Sequence, residues 1–250
     1  MNTYEVVITA FNRLEALEET IVSIKNQSTK PTCIHLVLDG QNLDIERLGL
    51  KYGCRVHTLE HCGYPSVGRN YGLAQCTSNF VAFCDDDDIW VERKMESQLL
   101  YFERNSDIDM ICTQAEYWDG KSSLRLVSPI CGRINILDLM IRNPCTFSSL
   151  VIRRSASCVF DERVELKAWE DYYMFIESII QGVKLEILPF VGVKYRINSA
   201  GKISTRHSVN RDILQLKIIG SRILKSSIWP YLFVFFPVFT LRLIRSFVYK

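Results

Sequence analysis

The chain has 250 residues, 48% hydrophobic and 23% charged, with a net charge of +2, which is enough to bury one good-sized core and too apolar to remain disordered. Its nine cysteines include no C-x-x-C pair and no regular spacing, which excludes a disulfide framework and a zinc motif and suits buried thiols in a reducing cytoplasm. Charge is uneven: residues 201–250 carry nine Lys or Arg and one acid, net +8, leaving −6 for residues 1–200, so the tail is the part expected to meet an anionic surface.

Residues 6–10 read as a strand, and Phe11-Asn12-Arg13 opens a helical pattern with Leu14, Leu17, Ile21 and Ile24 on one side. The apolar run at the start is too short for a signal peptide, so the catalytic part is expected on the cytosolic side. Residues 33–38 form a second strand ending in Asp39-Gly40, followed by a helix over 44–52, a strand over 55–59 and a helix over 66–75. The order β-α-β-α-β-α-β with short connections argues for parallel strands covered by helices. Ligands of such sheets sit beyond the carboxyl ends of the strands, which directs attention to Thr9, Ala10, Phe11, Asn12, Asp39 and the residues after 84.

There the chain reads FVAFCDDDDIW. Residues 80–84 are a short, aromatic-rich apolar run, hence a buried strand, and four carboxylates, Asp85 to Asp88, follow at once. Neighbouring like charges about 4 Å apart repel by roughly 1 kcal/mol in water and roughly 4 kcal/mol at an effective dielectric near 20, so the run wants a counter-charge. A divalent cation, Mg²⁺ or Mn²⁺, suits these hard oxygen ligands and keeps open positions for phosphates. The bland alternative is a solvated acidic turn capping the next helix.

Residues 91–105 read as an amphipathic helix, and 110–117 with 123–128 as a hairpin around Asp119-Gly120. A short strand is expected over 150–152. Residues 168–182 have a polar start and an apolar body, which places Glu170 and Asp171 in the first turn of a helix, where capping alone could explain them. A strand over 191–197 and a loop over 198–202 follow, then an amphipathic helix over 212–225. Residues 226–241 are uncharged and hold six aromatics, but Pro230, Pro237 and the arginines after them favour an interfacial helix pair over a membrane span.

Other motifs fail. Gly120-Lys121-Ser122 lacks the earlier glycine of a phosphate-binding loop, since Ala115 stands there. Ile89 and Trp90 break a calcium loop, and His35, His57, His61 and His207 have no helical metal-ligand spacing. The acidic centre argues against nucleic acid.

Taken together these segments resemble glycosyltransferase family 2, the inverting nucleotide-sugar transferases. VVITAFNRLEALEETIVSIKNQS is similar to the family's opening strand and helix and VLDGQN to its first aspartate motif. GYPSVGRNYGLAQCTSNFVAFCDDDDIW resembles its arginine-asparagine helix leading into the D-x-D run, WEDYYMFIESIIQG its late Glu-Asp motif, and YRINSAGKIS its closing loop. The resemblance implies an α/β GT-A fold: a Rossmann-like, mostly parallel central sheet with helices on both faces, plus a C-terminal helical, membrane-associating tail. It implies a catalytic domain over 1–205, with 1–105 binding the nucleotide sugar and 106–205 the acceptor, and a basic aromatic tail over 206–250.

Carried over by position, Thr9 and Asp39 would hold the base, with Ala10, Phe11, Asn12 and Arg69 around the nucleotide. Asp85 or Asp86 would hold the ribose or sugar, Asp87 the metal, and Asp171 would be the base with Glu170 orienting its neighbours. The expected activity is transfer of a sugar from a nucleotide-diphosphate sugar, with inversion, to a saccharide acceptor, lipid-linked, in surface-polysaccharide assembly. The tail over 211–250 would hold the enzyme peripherally on the inner face of the cell membrane. A metal-dependent nucleotidyl or phosphoryl transferase and a non-catalytic nucleotide-sugar-binding protein are the alternatives.

Overall fold

The computed structural model describes residues 2–141, 143–156, 158–197, 209–226 and 237. Its first half alternates strand and helix as the periodicity predicts: β1 (Tyr4–Ala10), α1 (Leu14–Lys25), β2 (Cys33–Asp39), α2 (Leu43–Lys51), β3 (Arg55–Leu59), α3 (Ser66–Gln75) and β4 (Phe80–Asp85). After the acidic run come a two-residue strand β5 (Ile89–Trp90) and α4 (Lys94–Arg104). The second half contains β6 (Met110–Trp118), β7 (Ser123–Leu126), β8 (Gly132–Ile134), α5 (Ile136–Ile141), β9 (Val151–Arg153), α6 (Glu170–Ile180), β10 (Leu185–Arg196) and α7 (Val209–Leu224).

These strands make one sheet in the order β3-β2-β1-β4-β9-β6-β10-β5, with β7 beside β6 and β8 beside β10. The long strands share one direction: β3, β2, β1 and β4 pair in parallel, as do β6 and β10. Short β9 runs antiparallel between β4 and β6, and β5, β7 and β8 also pair antiparallel, so the sheet is mixed. The expected hairpin forms: Asp119 Oδ1 accepts the N–H groups of Lys121 and Ser122, both at 2.8 Å, and Gly120 takes φ +101°. β10 starts six residues before the expected strand, because Pro189 breaks the pattern in the sequence and is absorbed in the structure by register shifts against β6.

Alternating side chains feed two cores, one on each face. Val6 and Ile8 of β1 and Phe80, Ala82 and Cys84 of β4 pack with Leu17, Ile21 and Ile24 of α1 and with Met95 and Phe102 of α4. Val7, Val81 and Phe83 face the other way, toward Leu139, Met174, Phe175 and Ile176. β4 is thus buried on both sides, the environment that its unbroken apolar run requires.

Two glycines set how α3 lies on the sheet. A Cβ on Gly72 would stand 2.4 Å from Val7 Cγ1, and one on Gly68 would stand 2.9 Å from Thr9 Cγ2. Their absence brings the helix backbone down onto β1. At the far end of the chain, Ile219 and Ile223 of α7 are buried in the second core, and Arg222 Nε donates to Glu177 Oε1 at 2.6 Å. Part of the stripe expected over 212–225 therefore packs inward. The expected loop over 198–202 and the aromatic stretch after 226 lie outside the described residues, Pro237 excepted. Among the described residues no helix is long and apolar enough to cross a membrane.

Gly72→Ala is expected to cost about 1–3 kcal/mol by overpacking against Val7. The check is a urea titration, in which the midpoint falls while the m-value stays constant.

Candidate active site

The carboxyl ends of β1, β2 and β4 open into a cleft of about 430 Å³. It is lined by residues 9–13, Asp39, part of the segment 61–65, Arg69, residues 85–87, part of 167–171, and Tyr195. All the residues singled out from the sequence, Thr9 through Asn12, Asp39, Arg69, Asp85, Asp86, Asp87, Glu170 and Asp171, meet on this one surface.

The acidic run meets counter-charges from the protein itself. Arg13 spans two of the four carboxylates: one guanidinium nitrogen is 2.6 Å from Asp87 Oδ2 and the other pairs with Asp86 Oδ1. Arg69 takes Asp85 Oδ1 at 2.9 Å. Asp88 is fully buried and faces inward, accepting from Ser148 Oγ at 2.5 Å and from the Arg196 N–H at 3.0 Å. Burial, with Asp87 and Asp85 adding to it, raises the Asp88 carboxyl well above the ordinary range. Burial likewise pushes Asp86 up to about 7, against the pull of Arg13. The four positions are therefore unequal: Asp88 braces the turn, while Asp85, Asp86 and Asp87 face the cleft.

Arg69 links this run to the second acidic pair. It is 4% exposed, lies with its guanidinium carbon 3.7 Å from the Phe147 ring centroid, and donates to Glu170 Oε1 at 3.1 Å as well as to Asp85. Burial pulls its pKa down, and Asp85 and Glu170 together more than restore it. Arg69 Nε and Glu170 Oε2 are buried without a hydrogen-bond partner among the described residues. Asp171 accepts the Tyr172 N–H at 2.7 Å, and burial followed by the Glu170 charge pushes its carboxyl up to about 7. Such a carboxylate is a base poised near neutral pH. Helix capping alone does not account for the pair, because Glu170 reaches sideways to Arg69.

At the other end of the cleft Asp39 accepts the N–H groups of Cys62 at 2.7 Å and Gly63 at 2.9 Å, and His61 Nδ1 lies 3.1 Å from Oδ2. The imidazole of His61 stacks on Phe11 with centroids 4.6 Å apart. Asp39 thus shapes the 61–63 turn, and an aromatic pair stands beside it at the rim.

Sequence reasoning overlooked Arg13, His61, Lys167, Ala168, Ser148 and Tyr195. Arg13 carried a signal, being the cation directly after the β1 motif. The others come from segments far apart in sequence, Tyr195 from β10 among them, whose approach no local pattern encodes. The donor set suits a divalent cation: Asp85 and Asp87 offer hard carboxylate oxygens on the cleft wall, and the second oxygen of each has no partner among the described residues.

The family model for glycosyl transferase family 2 matches residues 5–161. Among curated proteins, the poly(ribitol-phosphate) beta-N-acetylglucosaminyltransferase TarP of Staphylococcus aureus is 35% identical over 116 residues, covering 43% of this chain and 36% of TarP. The amylovoran biosynthesis glycosyltransferase AmsE of Erwinia amylovora is 24% identical over 205 residues, 78% of this chain and 77% of AmsE. Other curated relatives are spanned over only 15% and 53% of their length. Residues 1–349 of S. aureus TarS, solved in complex with UDP-GlcNAc, share the fold with a TM-score of 0.71 at 15% identity, over 90% of this chain and 67% of that one.

Ala168, two residues before Glu170, is held at φ 71° in the left-handed region. That conformation costs an L-residue about 1–2 kcal/mol, and glycine's extra unfolded-state entropy offsets roughly half of it. Ala168→Gly is expected to raise stability by about 0.5–1 kcal/mol, measured as a higher denaturant midpoint.

Proposed function

The chain belongs to glycosyl transferase family 2, and we propose that it moves a sugar from a nucleotide-diphosphate sugar to a hydroxyl of a saccharide acceptor, with inversion at the anomeric carbon. The observation that carries this reading is the joining, through Arg69, of an aspartate run at one wall of the cleft to Glu170-Asp171 at the other. One centre suits a diphosphate and the other a proton.

In this mechanism the Phe11–His61 pair and Asp39 receive the base, and Asp85 and Asp86 the ribose and sugar. Asp87, with Asp85 beside it, would hold a divalent cation, Mg²⁺ or Mn²⁺, which when bound supplies charge neutralisation for the leaving diphosphate. Asp171 accepts the proton of the acceptor hydroxyl as that oxygen attacks from the face opposite the diphosphate. One base and one displacement invert the centre, as in inverting glycoside hydrolysis. Glu170 holds Arg69 in place, and Arg69 in turn ties Asp85 to the helix turn that carries Asp171. The relatives that act on poly(ribitol-phosphate) and in amylovoran biosynthesis support a setting in surface-polysaccharide assembly, where the acceptor in this reading is a lipid-linked saccharide. The basic tail then places the enzyme on the inner membrane face.

Purified protein with Mn²⁺ or Mg²⁺ and a panel of nucleotide sugars, UDP-GlcNAc first, is expected to release nucleoside diphosphate from one donor. Release should be stimulated by membrane lipid extract, lost in Asp87→Ala and lost on chelation. Binding of a donor without release under any of these conditions would overturn the enzymatic reading in favour of a binding protein.

Asp171→Asn is expected to lower kcat by at least about 10²-fold, the lower end of general-base contributions, with donor affinity nearly unchanged. Because the base works deprotonated and its pKa is raised to about 7, wild-type activity should fall as pH drops through that value, where an unperturbed aspartate would hold activity down to about 4. A pH profile of kcat checks this, and an acid limb near 4 would remove Asp171 from the role.

A further inference from the structure

The opposite end of the same sheet carries a second polar cluster that the cleft does not use. In the β1–β2 register Glu5 stands across from Cys33 and Val7 across from His35, so Cys33, His35 and Glu5 share one face. That face is covered by the end of α3, where Cys76 follows the helix. Glu5 is 5% exposed, His35 0% and Cys76 5%. One ligand atom of each, carboxylate oxygen, imidazole nitrogen and thiol sulfur, lies within 4.8 Å of the other two.

His35 Nε2 is buried without a hydrogen-bond partner among the described residues, and it lies 3.9 Å from Glu5 Oε1. Nδ1 of the same ring is 3.2 Å from His57 Nε2. If Nδ1 carries the proton and donates to His57, Nε2 keeps a free lone pair within 4.8 Å of a carboxylate oxygen and a sulfur. That is the arrangement of a metal-ligating histidine whose other nitrogen is fixed by a neighbour. Glu5 in turn is oriented by the Thr77 N–H at 2.6 Å and the Ser78 N–H at 3.3 Å. Zinc bonds of about 2.0–2.3 Å to N, O and S in a tetrahedron set donor separations near 3.5 Å, so the trio closes on an ion with shifts of an ångström or less.

We propose that Glu5, His35 and Cys76 form a buried zinc site, structural in role and separate from the cleft. A nitrogen, a sulfur and a carboxylate oxygen are a mixed set that zinc accepts, whereas Mg²⁺ wants oxygens alone. On binding, the Cys76 S–H bond breaks, sulfur keeps the electron pair and coordinates the ion, and the proton leaves to water; the neutral imidazole and the carboxylate bind without proton change. The S–H···O contact to Gly72 at 3.3 Å is given up. Cys33, opposite Glu5 in the β1–β2 register and half-buried, lies outside this trio. The site lies four residues down β1 from Thr9, about 13 Å at the usual rise per residue, so it ties β1, β2 and the end of α3 together without touching the donor.

The test uses the full chain in an Asp87→Ala background, which removes the acidic metal ligand of the cleft, stripped with chelator and titrated with Co²⁺ or Zn²⁺ alone. Expected are a thiolate-to-cobalt charge-transfer band, about one zinc retained per chain after desalting, and a rise in Tm with zinc. Cys76→Ser should abolish the band, and both Cys76→Ser and His35→Gln should weaken zinc retention at least tenfold and remove the Tm rise. Circular dichroism of each variant in chelator establishes that it is folded. Absence of the band in the Cys76-containing protein, a reading that needs no folded variant, overturns the site, as does zinc retention unchanged by either substitution.

Discussion

Burying a carboxylate costs several kcal/mol unless something of opposite charge or a hydrogen-bond donor meets it, and this chain places four in succession where a fully buried strand ends. Everything around the cleft answers that cost. Arg13 comes from the turn after β1, Arg69 from α3, Ser148 from the segment before β9, and the Arg196 N–H from the end of β10. Elements far apart in sequence are thereby held at one point, and losing Arg13 or Arg69 would leave a buried carboxylate without its cation.

The geometry of α3 is the next link. Gly68 and Gly72 let the helix rest on β1 closely enough for Arg69 to reach both Asp85 and Glu170 from a site closed to water. Inside it, the same burial that makes the ion pairs strong raises the pKa of Asp171 toward neutrality. Packing, electrostatics and the proposed base are one arrangement seen at three scales, since a looser helix would wet the arginine and return Asp171 to an ordinary carboxylate.

Much of the fold was legible. The strand and helix order of residues 4–85, the helix α4, the Asp119-Gly120 hairpin and the helix bearing Glu170-Asp171 follow from apolar periodicity and turn residues, which are local signals. Insertion of β9 antiparallel between β4 and β6 was not legible, because three residues carry no pattern that names a partner. The early half of β10 was hidden by Pro189, and β5 and β8 were too short to register. The site divides in the same way. Its acids stand in runs that the eye finds, while the cations that answer them are single residues, unremarkable until the fold brings them in.

By itself the sequence determined which strands are buried on both faces, where their carboxyl ends lie and which acidic residues gather there, because burial and periodicity are written in consecutive residues. Tertiary structure alone decided that Arg13 and Arg69 balance those acids, that Asp88 faces inward while Asp85 to Asp87 face the cleft, and that Glu5, His35 and Cys76 meet at the other end of the sheet. Electrostatic partners and metal ligands are chosen by distance in space, and strands from different parts of a chain acquire that distance only when their register is set.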